Sequence, residues 1–486
     1  TLVSTNELAL HFGLPTKSVK GLPVINHATF GQEVLRDREN DIGDISFGKI
    51  YHLGAETKTD VDLHKDSFTM HTFVTGSTGS GKSNAVYNLL SKFQKSKVPF
   101  LVVEPAKGEY KNVFSDVNVF GTNSRLGAIL KINPFSFPEE VHVLEHIDRL
   151  IEIFNVCWPM YAAMPAVLKD AVENAYKSIG WDLHLSVNTK VSGLYPTFED
   201  VTDSLRSIIN SSDYSGDTKS DYIGSLATRL KSLTNGINGM IFSGEEIPYT
   251  KLFDENAIID ISRVGSMETK SLIMGIIVLK LQEYRMSSVS EMNSSLQHIT
   301  VLEEAHNLLK RTSSEQSQES SNVQGKSVEM LTNAIAEMRT YGEGFIIVDQ
   351  APNLLDTAVI RNTNTKIVMR LPEGTDRDIT GKAMALNDKQ IEELSKLPTG
   401  IAAVYQNDWQ EAVLCSIPKF VSRSNKKGNN LQVPLYTYNN ADILHGILSK
   451  DIDPEELKKL KEDILKLNIS AKLKADLVCN IESRNL

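Results

Sequence analysis

The sequence predicts an α/β fold, a mainly parallel sheet flanked by helices. Three observations carry that prediction. A short apolar run, Met70–Thr75, enters a glycine-rich turn at Gly76–Ser83, and apolar residues at helical spacing follow at Val86, Leu89, Leu90 and Phe93. Similar β-prone runs recur at Val98–Glu104, Ala257–Ile261, His298–Leu302, Phe345–Val348, Lys366–Leu371 and Ile401–Tyr405. Such β-α alternation builds parallel strands covered by helices. Apolar residues make up 41% of the 486 and charged residues 23%, ordinary globular proportions that can fill the core of a wide sheet.

Taken in order, residues 1–50 form a small N-terminal β-rich segment with short strands at Val24–Ile25 and Ile45–Phe47. The chain opens on Thr1 rather than methionine, so a preceding segment is expected to be missing. Residues 51–137 and 241–420 make the core, with a further short strand at Leu130–Ile132 and a helix at Lys270–Tyr284. Residues 138–240 interrupt it as a helical insertion, with helices at Val141–Phe154 and Ala162–Ile179. Arg311–Lys326 is rich in Ser, Gln and Glu and is expected to be a mobile loop. Residues 421–486 are a C-terminal helical segment, where Asp453-Pro454-Glu455-Glu456 has the N-cap, proline and first-turn acids of a helix start.

A net charge of −10 excludes a surface coated in basic residues for nucleic acid and leaves room only for a local basic channel. Cys157, Cys415 and Cys479 have no metal-like spacing and read as free thiols of a reducing, cytoplasmic setting. The longest apolar run, Leu272–Leu279, stops at Lys280 and is too short to span a membrane.

Gly76-Ser77-Thr78-Gly79-Ser80-Gly81-Lys82-Ser83 is a complete phosphate-binding loop of the form G-x-x-x-x-G-K-[ST]. Glycines let the backbone turn tightly and aim its N–H groups at phosphate oxygens. Lys82 supplies charge for the β- and γ-phosphates, and the Ser83 hydroxyl stands where Mg²⁺ binds. The ligands expected are ATP and Mg²⁺. A chance glycine-rich turn is the competing reading, and the strand before and helix after it argue against that.

About two hundred residues further on, an apolar strand ends in Glu303 and Glu304. Alternation along the strand and the turn after it separate two jobs: Glu303 for Mg²⁺, Glu304 for polarising the attacking water. Other strands intervene between loop and acid pair, the layout of RecA-like and AAA-like ATPases, so the fold expected is RecA-like. Gln350 follows a strand and suits a γ-phosphate sensor, or a plain turn residue. Arg339, near a helix end, suits a role within its own subunit, a contact to a neighbouring copy's γ-phosphate, or a cation facing its helix dipole. Glu104 and Lys107 read equally as helpers at the nucleotide and as a solvated loop, while Arg361 and Arg370 are further candidates for contact between copies, one of them more simply read as structural. His306 has no second ligand at useful spacing and reads as a hydrogen-bonded histidine.

Together these motifs resemble the HerA/FtsK superfamily of DNA-pumping ATPases, HerA in particular. The matching pieces are Gly76–Ser83, Lys107-Gly-Glu-Tyr110, Ile132-Asn-Pro-Phe135, Leu302-Glu-Glu-Ala-His306 and the Arg339–Gly342 helix end. Val348–Pro352, Asn364–Arg370 and Leu397–Gly400 complete the set, over about residues 45–415. The resemblance implies nucleotide on Gly76–Ser83, catalysis by Glu304, Mg²⁺ support from Glu303, γ-phosphate sensing by Gln350 and an arginine contact from Arg339. It also implies a homo-oligomeric, hexameric ring that threads double-stranded DNA, helicase-like, beside a nuclease or other effector, in DNA processing or antiphage defence. Relatives often carry an N-terminal barrel that docks the partner; the segment before Gly76 is short, so here that barrel is expected to be truncated or different. Two other functions suit the same motifs. One is an ATP-dependent platform that assembles and activates an effector without translocation. The other is a conjugation- or secretion-type ATPase.

Overall fold

The computed structural model describes residues 20, 27–34, 45–161, 163–288, 292–311, 323–421, 443, 454–467 and 469–484. In chain order the strands begin with β1 (Ile45–His52), β2 (Ala55–Leu63), β3 (Thr72–Thr75), β4 (Phe100–Glu104), β5 (Asn118–Gly121) and β6 (Ala128–Ile129). After them come β7 (Trp181–Asp182), β8 (Val187–Asn188), β9 (Ala257–Asp260) and β10 (His298–Glu303). The last are β11 (Glu343–Asp349), β12 (Thr365–Val368), β13 (Ile401–Gln406) and β14 (Val413–Ser416).

All but the β7–β8 pair join one 12-stranded sheet in the order β2-β1-β14-β13-β12-β3-β11-β10-β4-β9-β5-β6. From β12 to β6 every pairing is parallel. From β12 outward through β13, β14, β1 and β2 every pairing is antiparallel. This is the RecA-like, mainly parallel sheet, and β11 sits between β3 and β10 as that layout requires. The β1–β2 hairpin extends the same sheet through β14.

The central strands are buried on both faces, so their side chains alternate between two helical layers. Phe73, Leu101, Val103, Phe345 and Ile347 face a core that continues into the segment of helices from Val143 to Ile241. Val74, Phe100, Val102, Ile346 and Val348 face the helix Lys82–Lys95 through Ala85, Val86, Leu89, Leu90 and Phe93. Each such side chain contributes on the order of 2 kcal/mol of burial.

The helices Val143–Cys157 and Met164–Ser178 lie within a few residues of their expected spans. Helices Pro454–Lys466 and Ala471–Arg484 form the expected C-terminal helical segment. Asp200 ties that segment down. Its carboxylate closes the capping box of its own helix with Thr197 and also accepts from the Ala471 and Lys472 N–H groups, each at 3.1 Å.

Some elements differ from expectation for visible reasons. The strand expected at Lys366–Leu371 closes at Val368, because the Arg370 carbonyl accepts from Ser77 N–H at 2.8 Å. The strand expected at Leu130–Ile132 shifts to Ala128–Ile129, since Ile132 N–H donates to Ile241 instead. Val323–Lys326, expected as loop, opens the helix Val323–Glu337, whose buried Val328, Leu331 and Ile335 anchor it. Val24–Ile25 and residues 312–322 lie outside the described residues. Among the described residues, no helix is long and apolar enough to cross a membrane.

His71 sets the entry to β3. It is buried at φ +64°, and its Nδ1 accepts from Phe345 N–H at 3.1 Å, locking β3 to β11. Burial lowers its pKa to about 4 from 6.5. The native state therefore binds fewer protons than the unfolded chain between those values, and stability falls as pH drops from about 6.5 towards 4. The loss is up to roughly 3 kcal/mol. Thermal unfolding across this range should show that slope, and His71→Asn, which keeps a side-chain acceptor for Phe345 N–H without titrating, should flatten it.

Candidate active site

Parallel pairing opens the carboxyl ends of β3, β11, β10 and β4 on one edge of the sheet, where α/β folds bind ligands. Four segments meet there in one cleft: the Ser77–Asn84 turn, Glu104–Tyr110, Glu303–Glu304 and Gln350.

The turn needs its glycines. Gly76 stands at φ +154° and Gly81 at φ +113°. A Cβ on Gly76 would lie 2.7 Å from both Met369 Cβ and Ser80 Oγ. The loop is pinned on two sides. Ser77 N–H donates to Arg370 and the Gly400 N–H donates to the Ser80 carbonyl at 3.0 Å. Lys82 opens the helix Lys82–Lys95 and turns its ammonium back into the loop, onto the Gly76 carbonyl. Burial lowers the Lys82 pKa, against the pull of Glu304 and Glu303.

Glu304 takes a left-handed backbone, φ 47° and ψ 51°, at the turn leaving β10. Such strain in a non-glycine residue persists only where its surroundings enforce it. The Gln350 amide nitrogen donates to Glu304 Oε1, and Gln350 Oε1 accepts from the Thr78 hydroxyl at 2.7 Å. One amide thus links the phosphate loop to the second acid. Beneath it, the buried Asp349 accepts from His306 N–H at 2.8 Å and lies 2.9 Å from His306 Nδ1. That bond raises the His306 pKa. Glu304, His306 and Asp349 present ligand atoms within 4.8 Å of one another, a convergence that spacing alone did not show.

Glu303 accepts a hydrogen bond from the Tyr110 hydroxyl. Burial pushes its pKa up to about 7, and the Glu304 and Glu104 carboxylates add to the rise, outweighing the Tyr110 bond. Glu104, offered by the sequence as a helper at the nucleotide, spends its carboxylate on the backbone: it accepts from Glu109 N–H at 2.7 Å and Tyr110 N–H at 3.3 Å. Its pKa is raised by burial. Lys107 lines the cleft and is exposed.

Arg339 is not brought to this cleft. It is exposed in the Met338–Tyr341 turn that precedes β11, whereas Gln350 follows that strand. At ~3.3 Å per residue the two ends are roughly 20 Å apart. Arg361 is likewise exposed ahead of β12, and Arg370 serves the loop through its carbonyl.

The donor set suits a magnesium nucleotide. Positive-φ glycines leave room for phosphate against backbone, and Ser83 and Glu303 offer the hard oxygens that magnesium prefers.

Residues 45–281 match the family model described as Helicase HerA, central domain. A probable helicase of Methanocaldococcus jannaschii is 23% identical over 76% of this chain and 70% of its own length. The DNA double-strand break repair helicase HerA of Sulfurisphaera tokodaii is 22% identical over 78% of this chain and 70% of its own length. The chain is thus similar to HerA-type helicases, through a family match that spans just under half of its length.

Among solved structures, VirB4 of Thermoanaerobacter pseudethanolicus shares the fold at a TM-score of 0.57 and 16% identity, over 78% of this chain and 97% of that one. The plasmid coupling protein TrwB in complex with ADP and Mg²⁺ does so at 0.52 and 13%, over 82% of this chain and 98% of that one.

Sequence reasoning singled out the loop, the acid pair and Gln350, which the cleft brings together. It missed what Tyr110 touches, because its partner Glu303 stands 193 residues away. Gly76→Ala tests the loop geometry. The added methyl must displace Met369 or Ser80, so nucleotide affinity measured by fluorescence should fall at least about tenfold, a loss of about 1.4 kcal/mol.

Proposed function

We propose that this chain works as a ring of copies that hydrolyses ATP with Mg²⁺ to translocate or remodel double-stranded DNA in the cytoplasm. One observation carries the reading: Lys82, Ser83, Glu303, Glu304 and Gln350 share a single cleft, with Gln350 bridging the phosphate loop and the second acid.

In that cleft Lys82 stabilises charge on the β- and γ-phosphates, and Glu304 takes the proton of the attacking water. Gln350 orients that water, and its bonds to Thr78 and Glu304 make it responsive to what the loop holds. Magnesium, when bound, neutralises phosphate charge, with Ser83 and Glu303 as its protein partners. The exposure of Arg339 at the far end of β11, away from its own cleft, supports the ring reading, in which it serves a neighbouring copy's site. Duplex DNA as substrate is supported by the relatives named as helicases and as a DNA double-strand break repair helicase. With a net charge of −10, contact to DNA is confined to a local basic channel. A nuclease or other effector works beside the ring, in DNA processing or defence against phage.

Hydrolysis assays test this reading. Lys82→Ala should abolish turnover. Glu304→Gln should retain ATP binding while turnover falls by about 10²–10⁴. Duplex DNA should raise the parent's rate several-fold, and the stimulation should fade steeply with salt. A rate indifferent to DNA of every form contradicts translocation and favours an effector platform or a secretion-type ATPase.

A further inference from the structure

Two tyrosines stand behind the residues assigned to magnesium. Tyr110 is buried, 2% exposed, and its hydroxyl donates to Glu303 Oε1. Its ring packs edge-to-face on Tyr87, centroids 4.9 Å apart. Tyr87 sits one helical turn after Ser83, and the two hydroxyls are neighbours.

The turn that presents Tyr110 is itself held. Both oxygens of Glu104, at the end of β4, accept backbone N–H groups, from Glu109 and from Tyr110 itself. β4 pairs with β10, so the turn after one strand lies beside the acid ending the other. Charge-assisted bonds of this kind fix a carboxylate's direction as well as lowering its energy. A carboxylate with one oxygen engaged has the other left for a cation, and partners behind metal ligands commonly set metal affinity.

We propose that Tyr110 is a positioning residue for the metal side of the site: its hydroxyl holds Glu303 Oε1 and so aims Oε2 at magnesium, while Glu104 fixes the turn that carries it. The inference rests on the magnesium–ATP reading above. It gives the Lys107–Tyr110 turn a task that neither charge nor exposure suggests. A tyrosine that merely filled space would be replaced without loss by phenylalanine, which keeps the ring and its contact with Tyr87.

The test is binding of a fluorescent ADP analogue to the full chain as magnesium is titrated. Tyr110→Phe should raise the magnesium concentration at half-saturation about tenfold. Affinity for the analogue without magnesium and the thermal midpoint should stay at parental values. In a Glu303→Gln background the same substitution should add no further shift. Glu104→Gln, which loosens the turn and leaves Tyr110 intact, should shift the titration in the same direction, and it decides the matter if Tyr110→Phe does not fold. A parental magnesium titration in the folded variants overturns the proposal, as does an undiminished effect of Tyr110→Phe on top of Glu303→Gln. Magnesium-independent binding by the parent would instead contradict the magnesium–ATP reading itself.

Discussion

The parallel pairing of β3 between β12 and β11 is the constraint on which the site depends. It places the phosphate loop at the middle of a wide sheet and points every neighbouring strand end towards it. Asp349 pairs opposite Thr75, Val348 opposite Val74, and Glu303 in turn opposite Val348. A one-residue slip in any of these ladders would swap the faces of each strand and move an acid out of the cleft. Apolar side chains on both faces hold the register, Phe73 to one core and Val74 to the other. The chemistry is therefore positioned by the least polar part of the chain.

The polar groups at the strand ends divide into those that face the cleft and those that hold others in place. Lys82, Glu303, Glu304 and Gln350 line it. Asp349 fixes His306, Glu104 fixes the turn of Tyr110, and Arg370 and Gly400 fix the glycine loop through backbone bonds. Burial explains why this second group is so fully hydrogen-bonded: a carboxylate such as Asp349, wholly shielded from solvent, would otherwise be costly. The left-handed Glu304 backbone stands among these fixed groups, where its strain can be maintained.

Much of this was legible in the sequence, for physical reasons that also mark the limits. The glycine loop, the acid pair and Gln350 lie at junctions where period-2 and helical patterns change, so their place at strand ends could be read. β2 could not: its sequence Ala-Glu-Thr-Lys-Thr-Asp-Val-Asp-Leu is largely polar and exposed, and only pairing with β1 makes it a strand. Glu104 was legible as a strand end, equally a helper at the nucleotide or part of a solvated loop; its hold on the turn was not, because backbone N–H partners leave no trace in residue type. Arg339 was legible as the end of a helix. Its distance from the site follows only once β11 is known to run from that arginine towards the cleft.

That distance bears on the central claim, that each catalytic cleft is completed by a neighbouring copy. It can be tested by mixing two variants, each expected to be inactive alone. Glu304→Gln lacks the base but carries Arg339, and Arg339→Ala lacks the arginine but carries the base. ATP turnover that appears on mixing, when neither protein turns over alone, is the result expected of a shared site. Full activity of Arg339→Ala on its own, or a mixture as inactive as its parts, would contradict it.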